Sequence, residues 1–159
     1  MGMKIDHDKQ VAASNDLISA IQAEFSDEGL ICELRFHAGG KQKRPYVFIQ
    51  CPPSLWLILA ETLYEIHGVD YCSMITGIHW PEKVPEMEWQ VVVHLMRMGI
   101  QNPKSKDGIV IPTITDASIV QGSSMPLELE ISIAIPETST PSIPSVQHIW
   151  VGADWNEKE

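Results

Sequence analysis

Hydrophobic positions along the chain follow helical spacing in two early stretches and strand-like alternation later. From Ser14 the run SNDLISAIQAEFSDEG places Leu17, Ile18, Ile21 and Phe25 on one helical face, with Ser14 as N-cap and Gly29 as the stop. LICELRFH (Leu30–His37) and YVFIQC (Tyr46–Cys51) are β-rich runs joined by the turn-type linker AGGKQKRP, a pattern that predicts a hairpin. PPS at Pro52–Ser54 opens a second helix, with Ser54 as its cap and Leu55, Leu59, Leu63 and Ile66 as its inner face. Gly68 stands where a left-handed C-terminal residue is wanted.

Beyond Gly68 the period shortens. VDYCSMITGIHW (Val69–Trp80) and EWQVVVHLMRM (Glu88–Met98) read as strands, and the Pro- and Glu-rich PEKVPEME between them belongs in solvent. LELEISIAIP (Leu127–Pro136) is the cleanest alternation. Leu127, Leu129, Ile131, Ile133 and Ile135 face one way and Glu128, Glu130 and Ser132 the other, the pattern of a half-buried strand. Within Gly99–Pro126, IVIPTITDASIV is a candidate strand that Pro112 confines to an edge or splits. The order of elements predicts an α+β fold, a mostly antiparallel sheet with two helices on one face and an extended C-terminal tail. Residues 1–140 form the expected domain and 141–159 a separate C-terminal segment.

Composition narrows the functional classes. The 159 residues suit one domain, and a chain of this size buries roughly 68–70% of its unfolded surface, enough for a core without metals or disulfides. Eleven Lys and Arg against 21 Asp and Glu give a net charge of −10, so the cationic surplus that neutralises nucleic-acid phosphates or anionic lipid is missing. The longest apolar run, Leu55–Ala60, is far short of the roughly 20 residues that span a bilayer. MGMKIDHDKQ has no apolar signal region, and Cys32, Cys51 and Cys72 have no metal or disulfide spacing, so a cytoplasmic chain with reduced thiols is expected.

Catalytic chemistry finds little purchase. His37, His67, His79, His94 and His148 fall one per element, and the cluster Asp6, His7 and Asp8 reads as a solvated acidic end rather than a metal site. There is no GxSxG elbow and no phosphate-cradling glycine loop. Cys72 reads as a buried thiol, and its placement near His94 as a coincidence of residue types. The basic turn Lys41, Lys43 and Arg44 reads as a solvated turn, with docking to an acidic partner as the lesser reading. His94 is expected on a core hydrogen bond or at the solvent face of its strand, and Met87, Met96 and Met98 as packing residues. A stand-alone enzyme or small-molecule binder, with His148 and Asp154 in a pocket between sheet and tail, is the competing class.

The most distinctive stretch is PSIPSVQHIWVGADWNEKE, Pro141–Glu159, whose two tryptophans either fold back on the domain or anchor an interface. It resembles the C-terminal hallmark of the NADH dehydrogenase 30 kDa subunit family of respiratory complex I, and its counterparts in membrane-bound energy-converting nickel-iron hydrogenases. Pro144, Ser145, Val146, Ile149, Trp150, Ala153, Trp155, Glu157, Lys158 and Glu159 fall on that pattern, with lysine in place of the usual arginine. The strands Val69–Trp80, Glu88–Met98 and Leu127–Pro136 follow the family's order, so the resemblance runs over about Leu55–Glu159.

The resemblance implies a cofactor-free, non-catalytic subunit of a peripheral arm, on the cytoplasmic face of the membrane and reaching it only through the complex. The implied partners are the hydrogenase-like large (49 kDa-type) subunit and a neighbouring iron-sulfur subunit. Ser145, Ile149, Trp150, Trp155, Glu157, Lys158 and Glu159 are the implied docking residues, the tryptophans anchoring the tail while Glu157 and Glu159 meet basic groups on the large subunit. The family usually continues past this segment and has a shorter link in place of Gly99–Pro126. The expected readings are a naturally short hydrogenase-type subunit, a trimmed chain, or the first domain of a fused protein.

Overall fold

The computed structural model describes residues 6–82, 87–98, 101–106, 109–114, 125–136, 138 and 140–150. The first helix, α1, runs His7–Glu24, one turn and more upstream of the start expected from the apolar spacing. Asp6 is the cap, its side chain accepting from Lys9 N at 3.1 Å. Ser14 lies inside the helix, buried, with its hydroxyl donating to the Gln10 carbonyl at 2.8 Å. The spacing signal begins only at Leu17, because the preceding Val11, Ala12 and Ala13 favour helix through alanine without marking a strongly apolar face. Leu17, Ile18, Ile21 and Phe25 are buried as expected.

Strands β1 (Ile31–Phe36) and β2 (Pro45–Gln50) form the expected antiparallel hairpin, with Leu34 opposite Val47. The turn between them holds Gly39 and Gly40 at φ +110° and +77°. A single 3-10 turn, Pro53–Leu55, then leads into α2, Trp56–Glu65. Ser54 does not cap it; Leu55 stands at the N-cap without a side-chain bond, and Pro53 opens the preceding 3-10 turn. The inner face is Trp56, Leu59, Ala60 and Leu63, while Ile66 follows the helix and is 65% exposed, so the expected face is rotated. Gly68 adopts φ +67° and turns the chain so that Val69 N reaches the Leu63 carbonyl at 3.0 Å.

β3 (Tyr71–His79) and β4 (Trp89–Arg97) pair antiparallel, with an irregularity between Cys72 and Met74. β5 (Gln101–Lys106) and β6 (Ile109–Ile114) form a separate two-stranded ribbon in which Pro103 faces Pro112. A two-stranded ribbon has only edge strands, the places in a sheet that tolerate proline. The remainder of the candidate strand, from residue 115 to 120, lies outside the described residues.

β7 (Leu127–Ile135) occupies the middle of the five-stranded sheet, whose order is β1-β2-β7-β4-β3. It runs parallel to β2, Ile49 opposite Ile131, and antiparallel to β4, Val93 opposite Ile131. The sheet is thus mostly antiparallel, and the fold is α+β. Leu127, Leu129, Ile131, Ile133 and Ile135 are all buried, together with Val47, Ile49, Val93, Leu95 and Cys72 on the same sheet face. The inner residues of both helices join that face in one apolar cluster. Ser132 departs from the simple alternation. It points to the opposite face yet is 6% exposed, accepting from Gln90 Nε2 at 2.7 Å, while Gln90 Oε1 accepts from Trp80 Nε1 at 3.0 Å.

Arg97 ends β4 on the apolar face and is 4% exposed. Its Nε donates to the Met125 carbonyl at 2.7 Å and its Nη1 to the His67 carbonyl at 3.2 Å. Asp70, a nearby carboxylate, accepts from Met98 N at 3.0 Å. Burial pulls the guanidinium down to about 10, an effect the Asp70 charge opposes. This one side chain ties the loop after α2 to the segment that enters β7. No described helix is long and apolar enough to cross a membrane.

Candidate functional site

The C-terminal segment folds back onto the domain. Pro141 and Pro144 are exposed and Ile143 is half-buried, and the chain then makes one tight turn in which Ile149 N and Trp150 N both reach the Val146 carbonyl, at 2.9 and 3.3 Å. Ser145 is exposed and its hydroxyl accepts from Gln147 N at 3.3 Å, the usual short-range use of serine at a turn. A single helical turn aligns residues three and four apart, so Val146, Ile149 and Trp150 all point inward. Their exposures are 3%, 8% and 3%, and all three belong to the main core cluster.

Trp150 is held at both ends of its indole. The ring lies over Trp56 of α2, centroids 6.3 Å apart and planes 26° apart, and Nε1 donates to the Val69 carbonyl at 3.0 Å. The outward side of the turn presents Gln147 and His148, whose Nε2 is 3.6 Å from Glu61 of α2. Ile58 and Tyr64, one helical turn either side of Glu61, are 52% and 44% exposed. Turn and helix therefore make one continuous outer surface, polar where His148 meets Glu61 and apolar beside it. Of the expected docking residues, Ile149 and Trp150 are packed within the chain's own core and Ser145 is on this surface. Trp155, Glu157, Lys158 and Glu159 lie outside the described residues, as does Asp154.

The sheet's second face carries a group that strand-by-strand reading missed. Glu128 and Glu130 of β7 stand beside Met96 and His94 of β4, with Met74 of β3 beyond and Tyr46 of β2 on the other flank. They line an open cavity of about 360 Å³. His37 stacks on Tyr46 with centroids 4.5 Å apart and its Nε2 contacts Glu128, which also lies 3.4 Å from Arg44. Glu130 has only His94 Nε2, at 3.8 Å, among the described residues. The two glutamates are visible as alternate positions in LELEISIAIP; their neighbours depend on cross-strand register, which no local pattern carries.

Nucleophilic and metal chemistry find no support in this arrangement. Burial pushes the Cys32 and Cys72 thiols up to about 11 and Cys51 to about 12, so none offers a thiolate near neutral pH. Cys72 points into the core, opposite Leu95, whereas His94 is on the other face. Among the described residues no three His, Cys, Asp or Glu side chains converge as metal ligands. The basic turn is solvated as expected, with Lys41, Lys43 and Arg44 all exposed, although Arg44 lies 3.4 Å from Glu128 and the Lys43 carbonyl 2.9 Å from His7 Nε2. His148 lines neither the cavity above nor a second one, near His7, Gln10 and Arg44.

The family described as respiratory-chain NADH dehydrogenase, 30 Kd subunit, matches residues 49–159, from β2 through the tail. The chain belongs to that family. Among solved structures, one described as "Nqo5 of the trypsin-resistant fragment (1-134) in P63 form" is similar at 17% identity and a TM-score of 0.47, over 85% of this chain and 82% of that one. No curated protein matches. The match to the complex I 30 kDa subunit family includes the folded-back turn, so the family's segment and the packed Trp150 are the same piece of chain.

Proposed function

We propose that the chain is a non-catalytic subunit, or domain, of the peripheral arm of a complex I-like NADH:quinone oxidoreductase or a related energy-converting hydrogenase. In that role it supports the hydrogenase-like large subunit in electron transfer. The observation that carries this reading is the coincidence of the family match over residues 49–159 with a tail fixed to the domain by Trp150. Trp150 fixes the start of the proposed docking segment at a set place beside α2, which lowers the ordering cost of docking. Glu157 and Glu159, seven and nine residues past that anchor, are the proposed partners of basic groups on the large subunit, with Trp155 between. Charge pairs at such a contact set register and encounter more than affinity.

The chain reaches the membrane only through the complex, on its cytoplasmic face, and a neighbouring iron-sulfur subunit is the second proposed contact. The test is co-purification of the full chain with a hydrogenase-like large subunit from the same source. Wild type is expected to retain it, and Glu157→Ala with Glu159→Ala to lose most of it while the thermal transition of the isolated chain stays put. Unchanged co-purification by the double variant would overturn the docking role. The presence of NADH-binding subunits in the purified assembly distinguishes the quinone-reducing complex from the hydrogenase.

A further inference from the structure

We propose that the open face of the sheet is a second docking surface, one that receives an arginine flanked by apolar residues from a partner protein. Both helices pack on the other face, and this one leaves Met74 47% exposed beside Met96, Tyr46 and the two glutamates of β7. Glu130 is the unanswered charge: a side chain 27% exposed whose one charge contact among the described residues is a histidine ring 3.8 Å away. Glu128, at 25%, is held by His37 and Arg44 and so fixes the wall rather than awaiting a cation. In a chain of net charge −10, a cation-seeking groove is the complementary arrangement.

The groove's chemistry selects arginine. A planar guanidinium stacks on aromatic faces while pairing with a carboxylate; an ammonium ion is a hydrated point charge without a stacking plane. The same face already shows this geometry within the chain, where Arg35 lies 3.5 Å over the Phe48 ring and pairs with Glu33 at 3.0 Å. The His37–Tyr46 stack offers a second aromatic wall across from Glu130, and the two methionines give an adaptable apolar floor for the residues on either side. This surface is separate from the tail and from α2, so the proposal rests on the subunit reading only in taking the occupant to be a protein.

The experiment titrates the full chain, its methionine methyls labelled with carbon-13, with acetyl-Leu-Arg-Leu-amide and with the same peptide carrying citrulline, the neutral isostere. The arginine peptide is expected to shift the Met74 and Met96 methyls saturably and to leave Met125, which is buried elsewhere, unmoved. Citrulline in the peptide, or Glu130→Gln in the protein, is expected to weaken binding by about fivefold or more, the scale of a charge-assisted hydrogen bond. Equal binding of the two peptides, no shift at Met74 and Met96, or undiminished binding by Glu130→Gln would each overturn the proposal. So would equal binding of acetyl-Leu-Lys-Leu-amide, titrated alongside, or self-association of the chain abolished by Met74→Lys, which would make the occupant a second copy. Because none of these readouts involves Glu157 or Glu159, failure here and failure of tail docking are told apart.

Discussion

The Trp150 indole N–H donates to the backbone carbonyl of Val69 at 3.0 Å across 81 residues of sequence, and this bond joins the C-terminal turn to the start of β3. Trp150→Phe keeps a ring over Trp56 but removes the donor, and is expected to lower unfolding free energy by about 1–2 kcal/mol. Trp150→Ala also empties the site and is expected to lower it by about 3–5 kcal/mol. Urea denaturation of the two variants checks the difference, and similar losses from both would show that the bond contributes nothing beyond packing.

Arg97 donates to two backbone carbonyls, that of Met125 in a buried bond and that of His67 in a part-buried one. Arg97→Met preserves the stem and leaves the Met125 and His67 carbonyls without this donor, with an expected loss of about 2–4 kcal/mol. Arg97→Lys keeps the charge but cannot span both acceptors and is expected to fall between. Hydrogen exchange adds a local readout: protection of the first β7 amides should drop in Arg97→Met more than that of β1.

The three thiols make stability depend on alkaline pH. Their folded values are raised, to about 11, 12 and 11 from 9.0, so the unfolded chain releases its thiol protons first. The contribution is fully present below pH 9 and is lost as pH rises toward 11 and 12. By pH 10 each thiol is expected to have cost about 1 kcal/mol, and replacing Cys72 with Ala should flatten the slope by one thiol's share. Urea midpoints measured from pH 8 to 10 check this; a slope unchanged in Cys72→Ala would show that the thiol ionises alike in both states.

Two glycines should respond oppositely to alanine. At Gly68, with φ +67°, a Cβ would meet Arg97 Cδ at an ordinary 3.7 Å, so the cost is backbone strain, about 1 kcal/mol and roughly 2–4 °C in Tm. At Gly77, in the middle of β3, nothing lies within 4 Å of the added carbon, and Gly77→Ala is expected to be neutral or slightly stabilising. Calorimetry on both variants decides whether conformation or space is the relevant constraint.

The strands were largely legible because alternation is a local signal: Leu127, Leu129, Ile131, Ile133 and Ile135 announce a buried face without reference to any neighbour. Helix starts were less so. Asp6 caps α1 from a stretch without apolar rhythm, and Trp56 displaces the expected inner face of α2 because the preceding prolines make a 3-10 turn that rotates the entry. The position of β7 between β2 and β4 and the meeting of His94 with Glu130 are long-range facts, set by which pairing buries most surface rather than by any window of sequence. For the tail, sequence left open whether the tryptophans fold back or face outward. For Trp150 the answer is inward, beside Trp56.

Placing β7 at the centre of the sheet also fixes a timetable. The hairpins β1-β2 and β3-β4 can each form from neighbouring residues, but no ladder of the described sheet joins them until Leu127–Ile135 slides between, with two ladders closing at once. A ribosome emitting this protein must therefore release the chain through Ile135 before this core can close, and until then two β edges wait unpaired. Chains broken off before residue 127 would carry those edges permanently, and the cell's quality control should meet them as aggregates rather than as smaller folded domains.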